Sequence, residues 1–191
     1  MKVVAFNGSG RKNGNTAILI NKVFEVLHKE GIETEMVQLA ETIVKPCAGC
    51  RKCVANQNRR CSIVNDGGND CIAKMLSADG IIMATPVYFS DVSAQLKALI
   101  DRAGYVARAN DDMFKHKVGA AVIALRRAGA IGAFDTINRF FMVEQMIVHG
   151  AHYFNFAMGR DIGDVEKDAE GLDNLRLVAE NMIWLLRKVS G

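Results

Sequence analysis

The stretch Lys2–Thr16, KVVAFNGSGRKNGNT, decides how this chain folds. From Lys2 to Phe6 it runs apolar without alternation, the pattern of a strand covered on both faces. A turn of Gly, Ser and Asn follows, and Ile18, Ile20, Val23, Phe24 and Leu27 then recur at helical spacing. Buried strand, polar turn and amphipathic helix together make the opening of a βαβ unit. The same alternation continues outward from it. Thr34–Leu39 reads as a second strand, Asp70–Ala78 as a helix, and Gly80–Thr85 (GIIMAT) as a third buried strand stopped by Pro86. Val92, Leu96, Leu99, Ile100 and Ala103 mark another helix, and Lys117–Leu125 (KVGAAVIAL) another strand. A helix over Ala133–Val148, a strand over His152–Ala157 and a final helix follow, the last with Leu172, Leu175, Ala179, Met182, Leu186 and Val189 on one face. Apolar strands alternating with amphipathic helices predict an α/β fold. It is a doubly wound five-stranded parallel sheet of order 2-1-3-4-5, with a cysteine-rich loop after the second strand. No repeat, low-complexity run or linker interrupts it, so residues 1–191 read as a single domain.

Composition fits that reading. Of 191 residues, 50% are hydrophobic and 24% charged, enough to build one full core. A net charge of +3 is too small to indicate a nucleic-acid or membrane partner. The chain enters its first strand directly, with no signal-peptide pattern and no apolar run of spanning length, so a cytoplasmic protein is expected. Five cysteines in such a setting read as reduced thiols or metal ligands rather than disulfides.

Four of the five form a C-x2-C-x2-C-x7-C run: Cys47, Cys50, Cys53 and Cys61. Thiolates at two-residue gaps with a fourth nearby hold iron–sulfur clusters. Structural zinc more often separates two C-x2-C knuckles by a longer insert. A cluster, a zinc loop and a surface loop of free thiols are the three readings of this run. Lys45, Arg51, Lys52, Arg59 and Arg60 accompany the cysteines, and no Asp or Glu falls between Lys45 and Cys61. Such local positive charge offsets an anionic cluster. The fifth, Cys71, reads as a small core residue at the start of a helix.

In a doubly wound sheet, ligands bind beyond the carboxyl ends of the strands. The first turn, Asn7–Thr16, lacks both nucleotide patterns: Asn13 stands where a dinucleotide fingerprint requires its third glycine, and Ser9 and Asn15 break a Walker A loop. Its amides and hydroxyls, with Arg11 and Lys12 beside them, suit a single phosphate monoester at a helix N-terminus. The plainer alternative is a helix cap by Ser9 or Asn15. In the second turn, Thr85–Ser90, Pro86 stiffens the backbone, and Tyr88 and Phe89 offer flat apolar surface beside backbone amides, as a planar heteroaromatic ring requires. Ser90 or Asp91 is the expected cap of the helix that follows. The third turn, Arg126-Arg127-Ala128-Gly129, places cations on the same edge or forms a solvated basic turn.

Taken in order, NGSGRKNGNT, the compact cysteine run and TPVYFSDVSAQLKALIDRAG resemble the iron–sulfur flavoproteins, relatives of the NAD(P)H-dependent FMN reductases with a flavodoxin-like fold. The specific motifs cover residues 1–105, and the rest matches by pattern alone. The resemblance implies FMN, with its phosphate at Ser9, Arg11, Asn13, Asn15 and Thr16. Its isoalloxazine would lie near Pro86, Val87, Tyr88 and Phe89, with Arg126 and Gly129 on the same edge. It also implies a [4Fe-4S] cluster on Cys47, Cys50, Cys53 and Cys61, electron transfer, and assembly as a homodimer or homotetramer. A cluster passes single electrons and FMN one or two, so such a protein converts between them. Electrons would come from a ferredoxin-like protein donor or from NAD(P)H. An NAD(P)H-dependent FMN or quinone reductase without a cluster, and a non-enzymatic flavin-binding redox regulator, are the alternatives.

No Ser-His-Asp set or carboxylate pair competes, so no side chain is assigned as catalytic. His149 and His152 read as junction residues and Asp111 and Asp112 as a solvated loop. In the Ala133–Val148 helix, Phe134, Ile137, Phe140, Phe141, Met142, Val143, Met146, Ile147 and Val148 cover more than one face, more than a helix on a sheet buries. The surplus is expected at a subunit interface.

Overall fold

The computed structural model describes residues 1–189. Strands β1 (Lys2–Asn7), β2 (Glu33–Gln38), β3 (Gly80–Pro86) and β4 (Val118–Leu125) lie parallel in the order β2-β1-β3-β4, and β5 (Ile147–Val148) completes the expected 2-1-3-4-5 sheet. Helix α1 (Asn15–Lys29) joins β1 to β2. After β2 comes the cysteine segment with a short helix α2 (Lys52–Asn56), then α3 (Gly68–Ser77) before β3. Helix α4 (Ala94–Arg108) joins β3 to β4, and α5 (Ala130–Val143) follows β4. A last strand β6 (Phe156–Met158), a 3₁₀ turn (Asp164–Lys167) and α6 (Ala169–Val189) end the described chain.

The period of two along each strand divides the core. Val4 and Phe6 face the α3, α4 and α5 side with Leu96, Leu99, Ile137 and Phe141. Val3 and Ala5 face α1 and α6 with Leu19, Val23, Leu175 and Met182. Every residue of β4 is buried, as a central strand between two helical layers demands. Cys71 is fully buried in the first of these layers, as its apolar setting in the sequence predicts. Among the described residues no helix is long and apolar enough to cross a membrane.

Three local expectations are corrected. The fifth strand does not run over His152–Ala157. Its place beside β4 is filled by two segments: Ile147–Val148 pairs with Val118–Gly119, and Phe156–Met158 with Ile123–Leu125. The stretch between them is diverted by Asn174, which accepts from the Tyr153 N–H at 2.8 Å and donates to the Phe154 carbonyl at 2.8 Å. The preceding helix spans Ala130–Val143 rather than Ala133–Val148, because Gln145 turns the chain at φ 56° and releases Ile147 and Val148 into the sheet. Helix α4 is capped by neither Ser90 nor Asp91. Ser93 does this, its Oγ accepting from the Leu96 N–H at 3.3 Å.

Glu144, just past α5, is 1% exposed and its Oε2 has no partner. Burial pushes its carboxyl pKa up to about 7, with Arg108 opposing and Asp112 adding to the rise. The unfolded chain loses this proton near 4.5 and the folded one only near 7. Wild-type stability therefore falls as pH rises through that window. Glu144→Gln removes the effect. Urea unfolding is expected to show the variant more stable at pH 8, by up to roughly 3 kcal/mol, and equal to the wild type below about pH 4.

Candidate functional site

Three strand-to-helix turns meet at one edge of the sheet, where a cavity of about 210 Å³ is lined by Ser9, Arg11, Asn15, Thr16, Pro86, Val87, Tyr88, Ala124, Leu125, Arg126, Gly159 and Arg160. The first turn is folded against β2. Asn7 Oδ1 accepts from the Ser9 N–H at 3.0 Å, and Gln38 Nε2 donates to the Ser9 carbonyl at 2.6 Å. Ser9 Oγ accepts from the Arg11 N–H at 3.1 Å, which closes the loop ahead of α1. Neither Ser9 nor Asn15 caps that helix. Its N-cap is Gly14, with no side-chain acceptor, so the orphaned N–H groups of the first turn are open to an anion. Arg11, Arg126 and Arg160 stand around this opening and no carboxylate lines it. The fit is to a phosphate monoester.

Asn15 does more than line the wall. Its Nδ2 donates to the Gly159 carbonyl at 3.3 Å and the Asp161 carbonyl at 2.9 Å, and its Oδ1 accepts from the Gly163 N–H at 2.8 Å. The Gly159–Gly163 loop is thereby fastened beside the first turn. A Cβ at Gly159 would lie 2.6 Å from the Val165 nitrogen and 3.0 Å from Asn15 Nδ2, so only glycine permits this approach. Gly159 and Arg160 are site residues that the sequence reading missed. The Gly-Arg-Asp-Ile-Gly run after the last strand was the available signal.

On the opposite wall, the Val87 N–H is tied to the Ala124 carbonyl at 3.0 Å, and Tyr88 and Asp91 exchange backbone bonds of 2.9 and 3.1 Å across a tight turn. Phe89 and Ser90 at its tip have φ 49° and 64°, strained for residues with side chains. Tyr88 lines the cavity, while Phe89 projects fully into solvent away from it. Of the other expected residues, Asn13 faces a separate cavity of about 500 Å³ with Lys12, Gln38 and Glu41. Gly129, at φ 88°, starts α5 and packs on Ser90 rather than lining the edge. Arg126 reaches the cavity.

The cysteine segment forms a second site. Cys47, Cys50, Cys53 and Cys61 line one small concavity, together with Arg51, Ile63, Arg102 and Tyr105. Cys53 is buried and Cys50 exposed, and no disulfide joins any pair among the described residues. Ser62 Oγ lies 3.3 Å from Cys50 Sγ and lowers that thiol's pKa, aided by the Lys52 backbone. Burial raises that of Cys53. Among the described residues no three of Cys, His, Asp and Glu converge closely enough to hold one metal ion. The four cysteines around this small concavity are all sulfur donors, the ligand type that holds iron–sulfur clusters.

Little regular structure supports this segment, and buried polar side chains do so in its place. Asn69 accepts from the Cys61 N–H at 2.7 Å and donates to the carbonyls of Cys61 and Ile63. Asn110 accepts from the Arg59 N–H at 2.7 Å. Asp66 accepts from the Lys45 and Gly68 N–H groups at 2.8 and 3.0 Å. It also pairs with Arg102, with both side chains at most 1% exposed. Burial alone would raise the Asp66 pKa. The two N–H groups and the guanidinium outweigh it and hold the carboxyl below its usual range. A larger cavity, about 880 Å³, is an open trough between α4 and α5, lined by Lys97, Asp101, Arg108, Arg139 and Glu144 among others. Its charges are mixed and it lies along the helices, away from the strand ends where ligands of this fold bind.

Residues 1–161 match the family of NADPH-dependent FMN reductases. An iron-sulfur flavoprotein of Methanocaldococcus jannaschii is 36% identical over 201 residues, covering 99% of both chains. One of Methanosarcina thermophila is 32% identical over 193 residues, covering 99% of this chain and 97% of the relative. Among solved structures, RosB with a bound 8-demethyl-8-formylriboflavin-5'-phosphate intermediate superposes with a TM-score of 0.81 at 18% identity. That superposition covers 100% of this chain and 80% of RosB, and it shows the shared fold.

Removing one partner of the buried ion pair strands a charge. Asp66→Ala is therefore expected to cost about 3–5 kcal/mol in urea unfolding. Proteolysis of the variant should nick the 45–66 segment before any other part of the chain.

Proposed function

The chain belongs to the NADPH-dependent FMN reductase family, and from that premise we propose that it is an FMN-dependent oxidoreductase that carries electrons between its flavin and a [4Fe-4S] cluster. Residues 1–191 act as one flavin-binding domain. The observation that carries the reading is the pairing of two separate sites in one chain. One is an uncapped helix N-terminus ringed by three arginines, and the other is a concavity lined by four cysteines. The names of the full-length relatives agree with it.

On this reading Ser9, Arg11, Asn15, Thr16, Arg126 and Arg160 hold the FMN phosphate, with the first-turn N–H groups of α1 beneath it. Pro86, Val87 and Tyr88 form the wall against the ring, and Gly129 and the strained turn at Phe89 shape that wall from behind. Cys47, Cys50, Cys53 and Cys61 hold the cluster. When bound, FMN accepts one or two electrons while the cluster passes them singly. The chain's own residues position both groups, neutralise their charge and exclude water. NAD(P)H or a ferredoxin-like protein supplies the electrons. Protein purified without oxygen should release FMN and not FAD on denaturation, and should contain four iron per chain. Cys53→Ala should abolish the iron and keep the flavin. Arg126→Ala should weaken FMN by roughly 1.5–3 kcal/mol, read by fluorescence titration of the apoprotein. Recovered FAD, or zinc in place of iron, would overturn the assignment.

A homodimer or homotetramer is part of the proposal. Helix α5 buries Ile137, Phe140 and Phe141, yet leaves Ile131, Met142 and Val143 at 46%, 69% and 52% exposure. These exposed apolar side chains, interspersed with the Asp135–Arg139 pair, are what a second subunit would cover. Light scattering at dilute concentration should give a multiple of 20.9 kDa, and Met142→Glu should shift it toward the monomer.

A further inference from the structure

Arg102 is fully buried, and its guanidinium is only partly satisfied. Nη1 pairs with Asp66 and donates to the Lys45 carbonyl at 3.3 Å, and Nη2 donates to the Ile63 carbonyl at 3.1 Å. Nε has no partner. A buried cationic donor left unpaired is among the costliest defects a core can hold, so one demands an acceptor. The residue lines the concavity of Cys47, Cys50, Cys53 and Cys61. Its orientation is fixed from behind: a Cβ at Gly68 would lie 2.4 Å from the Arg102 Cζ, so the helix backbone presses directly on the guanidinium plane. Each Nη atom is held by the cysteine segment, and Nε is the one nitrogen of the three with no partner at all.

We propose that Arg102 is a hydrogen-bond donor to the cluster, its Nε–H directed at a cluster or cysteine sulfur while Nη1 and Nη2 hold the segment that supplies the ligands. The inference rests on the cluster reading above and adds a specific role to it. Hydrogen bonds and positive charge at the sulfurs favour the reduced, more anionic state. Arg102 therefore sets the cluster's potential, independently of the flavin edge. Lysine keeps the charge but cannot supply the fork and the third donor together.

The test uses wild-type protein purified without oxygen from cells fed arginine labelled with ¹⁵N at Nε. Pulsed electron paramagnetic resonance of the reduced cluster should show a ¹⁵N coupling that is absent from unlabelled protein. It should persist in Arg51→Lys, the other arginine of the pocket, and disappear in Arg102→Lys. Redox titration of Arg102→Lys should move the cluster at least tenfold toward the oxidised form, about 59 mV for one electron, and leave the FMN midpoint unmoved. A loaded wild-type cluster without ¹⁵N coupling, or a coupling lost in Arg51→Lys, overturns the role of Arg102 and leaves the cluster reading standing. If Arg102→Lys fails to load iron, the labelled wild type and Arg51→Lys still decide the matter. Iron-free wild-type protein would instead overturn the cluster reading itself.

Discussion

The buried pair of Arg102 and Asp66 is the constraint on which the cysteine segment depends. Between β2 and α3 the chain forms only one short helix, so most of its backbone has no ladder to join. Buried N–H and C=O groups need partners regardless. The pair supplies them: Asp66 takes two N–H groups, and Arg102 gives to carbonyls on both sides of the segment. Each charge also offsets part of the penalty of burying the other. Asn69 and Asn110 extend the same solution. Side chains on and beside α3 and α4 thus do for this segment what strand pairing does for the sheet.

Helix α4 thereby links the two sites. Its N-terminal cap, Ser93, follows the turn that forms the wall of the cavity at the sheet edge. Arg102 and Tyr105, further along, line the cysteine concavity. From Ala94 to Arg102 the helix rises roughly 12 Å, a rigid spacing set by backbone geometry and not by loops. Thr85 reinforces the near end, where its Oγ1 accepts from the Ser93 N–H at 3.0 Å and donates to the Pro86 carbonyl at 2.8 Å.

Most of the fold was legible because its signals are local. Apolar runs and helical spacing mark every long element, and β1, β3 and β4 fall within a residue or two of their expected bounds. The turns after these strands meet because parallel order requires it, so Ser9, Arg11, Thr16, Pro86 and Tyr88 could be assembled from sequence. What stayed hidden depends on distant contacts. Gly159 and Arg160 enter the edge only through Asn15, and the broken fifth strand owes its shape to Asn174 on α6. Phe89 has the composition expected of a ring contact, but a left-handed tip turns it to solvent. Arg102 sits on a helical face that reads as core, and only its burial shows why a cation belongs there.

The clasp between Asn15 and Gly159, 144 residues apart, imposes an order of assembly on a nascent chain. The cysteine segment and its anchors are complete once Asn110 has emerged. The sheet edge must wait for Gly159 and Gly163. At ribosomal speeds of about 5–20 residues per second, the two events are separated by seconds. Within that interval every residue that anchors the thiols has been made, while the opening at α1 still lacks one of its walls. The four thiols and the residues that hold their segment thus precede in synthesis the loop that closes the cavity at the sheet edge.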